Sequence, residues 1–136
     1  QAERALDLMV KRGLTREAFG KRLGNLGGNL QMIAQSRIEI ESMRRMVLTA
    51  AKAMDVLGNA EARVWVSAVK AMVPIRTCEI IDNAIQAYGG GGVSDEAGLA
   101  KDYAHIRTLR LADGPDEVHN RAIARLELRK YANATH

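Results

Sequence analysis

Little in this sequence can pin the chain covalently or bend it sharply: 136 residues contain one cysteine, two prolines and one phenylalanine. A lone Cys78 cannot form an internal disulfide. Its place in an apolar helical stretch reads as a buried, inert thiol in a reducing compartment. Scarce proline beside abundant Ala, Leu, Arg, Glu and Met favours helix over strand. No segment approaches the ~20 apolar residues of a membrane span, and no basic-then-apolar leader opens the chain. The three histidines, His105, His119 and His136, are scattered and have no cysteine partner, so metal-ligand spacing is absent. Ser36, Ser42, Ser67 and Ser94 sit in no nucleophile turn. Charge of one sign is also scarce. The net +4 is modest, and bases alternate with acids from Arg37 to Arg45 and from Arg121 to Lys130, the pattern of solvated helix faces rather than a nucleic-acid footprint.

What is present predicts an all-α fold of one domain over residues 1–136, large enough to bury roughly two-thirds of its unfolded surface. The first residues, from Gln1 to Val10, open in mid-helix, which implies chain upstream of Gln1. Ala2, Leu6, Met9 and Val10 recur at helical spacing, and Gly13 stands where a helix would stop. Thr15 can cap a short turn through Arg16, Glu17 and Ala18. From Leu26 a stripe of Leu30, Ile33, Ile40, Val47, Ala51 and Met54 predicts a long amphipathic helix ending near Gly58, with Arg37 snorkelling from its edge or forming an interface ion pair. A second long helix over 60–87 carries Trp65, Val69, Met72, Ile75, Ile81 and Ile85, with a kink or local unpairing at Pro74. Met32, Met43, Met46, Met54 and Met72 read as core filling. Four glycines at 89–92 end that helix. Residues 94–112 form a short helix or two, and a final helix runs from Pro115 to about Ala132 through Val118, Ala122, Leu126 and Leu128. Short connections make this an antiparallel four-helix bundle.

Two segments exceed what a bundle requires. In Gln86-Ala87-Tyr88-Gly89-Gly90-Gly91-Gly92 the glycines permit close backbone approach, suiting phosphate oxygens or a polar ring edge; the same run could serve as a mere long turn. In Asp113-Gly114-Pro115-Asp116-Glu117-Val118-His119 the acids lie at a helix start, where Asp113 could be a cap or turn residue. Residues alone lead to a helical domain with a glycine-lined concavity.

The segment Arg16-Glu17-Ala18-Phe19-Gly20, the helix end Ala50-Ala51-Lys52-Ala53-Met54-Asp55, the Gln86-x-x-Gly89-Gly90-x-Gly92 turn and the pair Asp113-Gly114 resemble, in order and spacing, the C-terminal helical domain of acyl-CoA dehydrogenases. The last segment is most similar to the large multidomain members. The resemblance implies that Arg16 pairs with FAD phosphate, that Phe19 lines the adenine side, and that Gln86, Gly89 and Gly90 contact the dinucleotide, in part that of a neighbouring subunit. Pro115, Asp116 and Glu117 also approach FAD by this resemblance. Pro115 stands where many members have Thr, which removes a hydroxyl contact, and Gly27 replaces a side-chain donor. The implied reaction removes the α-proton of an acyl-CoA while a β-hydride passes to flavin, giving trans-2-enoyl-CoA. Asp113 would be the base, where a glutamate is usual, and Gly114 would leave room for the thioester carbonyl. Some members instead carry the base on the helix that precedes residue 1 here.

The resemblance further implies electron-transferring flavoprotein as acceptor, a homodimer or homotetramer, and an intracellular setting, either bacterial cytoplasm or a mitochondrion or peroxisome. Competing readings are a flavin oxidase of the same superfamily acting on another acidic C–H substrate, such as a nitroalkane, and a helical assembly domain without chemistry.

Overall fold

The computed structural model describes residues 1–132; residues 133–136, with His136, lie outside the described part. Five helices follow one another: α1 Ala2–Thr15, α2 Asn29–Tyr88, the short α3 Gly90–Val93, α4 Leu99–Leu109 and α5 Asp116–Ala132. Between α1 and α2 lie strands β1 Glu17–Ala18 and β2 Lys21–Arg22 and a 3-10 turn, Leu23–Asn25. The long α2 is two helices in one, because Gly58 leaves helical dihedrals (φ 77°, ψ 175°) and reverses the chain. The two arms then face each other: Thr77 donates to Met43 Sδ at 3.6 Å, and Arg76 stands 3.7 Å from Glu39.

Four helical rods meet in one core. Ala5, Leu6 and Met9 come from α1, Ile40 and Met43 from the first arm, Cys78, Ile80, Ile81 and Ala84 from the second, and Leu99 and Ile106 from α4. This is the all-α, antiparallel four-helix arrangement that the periodicity implied. α5 lies outside it, against α2, and buries none of its residues fully.

Several local expectations need correction. Gly13 does not end α1, which continues to Thr15. Its missing side chain serves close approach instead, since a Cβ there would stand 3.1 Å from Gly24 Cα. The Thr15 hydroxyl donates back to the Lys11 carbonyl at 2.9 Å and caps nothing ahead. Glu17 and Ala18 are strand, paired with Arg22 and Lys21 across a two-residue Phe19-Gly20 turn. Both turn residues have positive φ, 52° and 72°, the twist that tight hairpins require. The first long helix begins at Asn29, not Leu26, and Pro74 is accommodated without any break in helical dihedrals, which occurs only at Gly58. What Pro74 removes is one N–H, and with it the bond to the carbonyl four residues earlier. The glycine run also does more than stop a helix, because Gly90–Val93 forms a turn of its own.

Arg37 proves to be an interface group, donating to both oxygens of Glu3 on α1 at 2.9 and 3.0 Å. The Arg37 hydrogen bond, aided by the charges of Arg37 and Arg44, holds Glu3 below the usual carboxylate range. At half exposure such a pair fixes register more than it adds stability.

The apolar stripe is only partly core. Ile40 and Met43 are buried, whereas Leu30, Val47, Leu48, Met54, Val56, Leu57, Trp65 and Val66 are exposed. Most of these cluster where the two arms of α2 run on toward Gly58. The total surface is 8995 Å² for 14.9 kDa, against about 7,000 Å² for a compact monomer of that mass.

Candidate functional site

The sequence motifs fall into two groups in space. The first gathers at one end of the bundle. Just past the end of α1, Arg16 has an extended backbone (φ −85°, ψ 130°) that turns the chain into the hairpin, and the Arg16 carbonyl accepts from the Leu23 amide at 2.7 Å. Phe19 stands at the hairpin tip, 97% exposed. Arg16 is also exposed and, among the described residues, has no hydrogen bond or ion pair to its guanidinium. The glycine turn lies at the same end, because the Arg12 guanidinium sits 5.2 Å above the Tyr88 ring and ties the end of α1 to the end of α2. Gln86 is exposed there. Gly89 adopts φ 65°, ψ −137°, and its amide closes the helix on the Ile85 and Gln86 carbonyls. Around Gly89 and Gly90 an added Cβ would meet nothing within 4 Å, whereas at Gly92 it would come 2.6 Å from the Ile85 carbonyl oxygen. Gly92 is thus needed for packing, and Gly89 and Gly90 leave open space.

The second group is the loop between α4 and α5. Asp113 (φ 53°) and Gly114 (φ 93°) both have left-handed backbone. Asp tolerates that region; at Gly114 a side chain would be strained and would also crowd His119 Nε2 at 3.2 Å. Three attachments fix the loop. Lys70 Nζ, from the second arm of α2, donates to the Leu109 carbonyl at 2.5 Å and the Gly114 carbonyl at 3.1 Å. Arg110 Nε donates to Asp116 Oδ2 at 2.8 Å. His119 Nε2 lies 3.1 Å from the Asp113 carbonyl. The Asp113 carboxylate itself is exposed and has no hydrogen bond or ion pair among the described residues. It is not a cap for α5, which starts three residues later and whose first turn is closed by the Val118 amide on the Pro115 carbonyl at 3.0 Å.

Pro115 and Glu117 are exposed beside this loop, while Asp116 is turned inward to Arg110, with its side chain 12% exposed and Oδ1 buried without a partner. A cleft of about 570 Å³ lined by Met54, Val66, Ser67 and His119 opens next to it. The two groups are far apart. Lys70 and Tyr88 lie on one arm, so at 1.5 Å per residue they are separated by about 27 Å.

Sequence reading missed Lys70, Arg110 and His119 as holders of the loop. The Arg110–Asp116 separation matches no helical pairing rule, and nothing local links Lys70 to residues so far along the chain. No helix among the described residues is long and apolar enough to cross a membrane.

Comparison with known proteins gives the frame in which these groups belong. The family model described as "Acyl-CoA dehydrogenase, C-terminal domain" matches residues 1–128. The chain is 51% identical over 131 residues to "Acyl-CoA dehydrogenase family member 11" of Rattus norvegicus, covering 96% of this chain and 17% of that protein. A solved structure from Mycobacterium abscessus, of a protein assigned as an acyl-CoA dehydrogenase, superposes with a TM-score of 0.94 at 50% identity, over 96% of this chain and 32% of the other. Butyryl-CoA dehydrogenase from Megasphaera elsdenii superposes with a TM-score of 0.85 at 25% identity, over 93% of this chain and 33% of its own. The chain thus spans a third or less of each of these relatives. With the family model covering nearly its whole length, this chain belongs to the acyl-CoA dehydrogenase family, as its C-terminal helical domain.

Proposed function

We propose that this domain forms part of an FAD-dependent acyl-CoA dehydrogenase in which Asp113 takes the α-proton of a bound acyl-CoA, yielding trans-2-enoyl-CoA. The observation that carries the reading is a carboxylate without a partner among the described residues, on a left-handed loop whose backbone is held from three sides. A free carboxylate is a weak base in water, and desolvation by an acyl chain would raise its pKa toward the task. Gly114 would leave its backbone clear for the thioester carbonyl. Aspartate is one methylene shorter than glutamate, so a rigid loop is needed to bring it within reach.

The residues of the hairpin end suit an extended dinucleotide. Arg16 offers a guanidinium unpaired among the described residues for phosphate, Phe19 offers an uncovered ring, and Gly89 and Gly90 stand in open space beside Gln86. When bound, FAD supplies the acceptor for the β-hydride. Pro115 and Glu117 would flank the cofactor from the Asp113 loop, whereas Asp116 would act through its bond to Arg110. About 27 Å between the groups favours an assembly in which the hairpin and glycine turn of one copy reach the dinucleotide beside another copy's Asp113. Electron-transferring flavoprotein is the acceptor this reading implies, in bacterial cytoplasm or in a fatty-acid-oxidising organelle.

The test joins this domain to the family's remaining domains and follows flavin bleaching by acyl-CoA in stopped flow. Asp113→Asn keeps the shape and removes the basic lone pair. Reduction should slow by ~10² to 10⁴, a barrier rise of about 3 to 5 kcal/mol, with FAD content and acyl-CoA affinity nearly unchanged. Normal bleaching would move the base elsewhere, to the helix upstream of Gln1.

A further inference from the structure

Lys70 is the one cation among the described residues whose hydrogen bonds all go to backbone carbonyls of a different element near the candidate base. Lys70 is half-buried on α2, and its ammonium meets the Leu109 carbonyl at 2.5 Å and the Gly114 carbonyl at 3.1 Å. No carboxylate pairs with it among the described residues. Holding a lysine in partial burial costs desolvation, which two carbonyls and the negative end of the α4 dipole offset. The two acceptors bracket the loop: Leu109 is the last residue of α4, and Gly114 follows Asp113 directly. One side chain therefore sets both the closure of the loop and its distance from α2.

The other attachments do not do this. Arg110–Asp116 and His119–Asp113 join the loop to its own ends, so they shape it without anchoring it to the bundle. Asp113 also has a backbone conformation that its own side chain does not enforce (φ 53°), and such conformations persist where surrounding contacts determine them. We propose that Lys70 is a positioning residue for Asp113, clasping Leu109 and Gly114 so that the carboxylate is held at a fixed height above the second arm of α2. This inference rests on the reading of Asp113 as the base, since positioning has a catalytic consequence only if the carboxylate reacts.

Lys70→Met keeps most of the side chain's length and removes every donor. In the 136-residue chain, amide hydrogen exchange over residues 110–114 should accelerate by about tenfold or more while the core of α2 stays protected, as expected of a local opening. Lys70→Arg, which retains donors, should restore most of that protection. If Lys70→Met melts too low to measure, Lys70→Gln, whose side chain is too short to span both carbonyls, replaces it with the same expected acceleration.

With the family's remaining domains and FAD present, Lys70→Met should slow flavin reduction by acyl-CoA about tenfold with little change in acyl-CoA affinity. In an Asp113→Asn background it should slow it no further, because residues acting through one group are non-additive. Unchanged exchange at 110–114 overturns the clasp whatever the chemistry. A loosened loop with unchanged reduction, or an additive loss in the Asp113→Asn background, overturns the positioning role. Normal reduction in Asp113→Asn alone instead refutes the proposed base, and the positioning role falls with it while the exchange result still reports on the clasp.

Discussion

Asp113 and Cys78 show how differently two ionisable side chains can be placed in one small domain. Asp113 is exposed on a loop, and its type and following glycine were legible in the sequence, but its left-handed backbone and its three-way support were not. Those depend on Lys70, Arg110 and His119, which converge only after folding. Cys78 was legible as buried, and it is 4% exposed within the core. Burial pushes its thiol pKa up, with the charges of Arg110 and Arg107 opposing the effect only in part. Little thiolate then exists at neutral pH, and access is poor as well. Native protein at pH 7 should react with a disulfide reagent far more slowly than the same chain in denaturant. Labelling in native buffer at the unfolded chain's rate would show that the thiol is not held in this core.

Among the elements, helices were read more reliably than their ends. A 3.6-residue period survives averaging over many turns, whereas an end is decided by one contact. Gly13 is the clearest case, because its sequence context suits a helix stop while its actual neighbour is the Gly24 backbone. Pro74 is the converse, a helix breaker by propensity carried inside a long arm by packing. The hairpin at Glu17–Arg22 has too few residues for a period-2 signal to show. Gly13→Ala separates the two accounts of that glycine. In an ordinary helix interior, alanine would stabilise by roughly 0.5–1 kcal/mol, but a Cβ 3.1 Å from a backbone atom overpacks, at about 1–3 kcal/mol. The expected net result is a lower melting temperature by several degrees. A higher one would mean the Gly13–Gly24 approach is not tight.

The whole molecule exposes more surface than a compact monomer of its mass, by about 2,000 Å², more than the roughly 800 Å² that one partner contributes to a specific interface. Much of the apolar part lies along the α2 arms toward Gly58, at Val47, Leu48, Met54, Val56, Leu57, Trp65 and Val66. The sequence marked several of these positions as a core stripe. Periodicity identifies an apolar face but not whether the covering surface belongs to the same chain, which is why that part of the expectation failed within this domain. Sedimentation at micromolar concentration should show dimers or larger species, and Trp65→Glu should shift the distribution toward monomer. A strictly monomeric chain at high micromolar concentration would contradict the proposed assembly.

The central claim is that Asp113 removes a proton from carbon next to a thioester, and proton exchange reads that step without hydride transfer. With the remaining family domains and FAD in place, an acyl-CoA analogue that cannot lose its β-hydride is incubated in D₂O, and α-deuterium incorporation is followed by NMR. The account predicts exchange catalysed by the protein and a loss of about a hundredfold or more in Asp113→Asn, the scale of general-base assistance, at nearly equal analogue affinity. Exchange at the same rate in both proteins would contradict it.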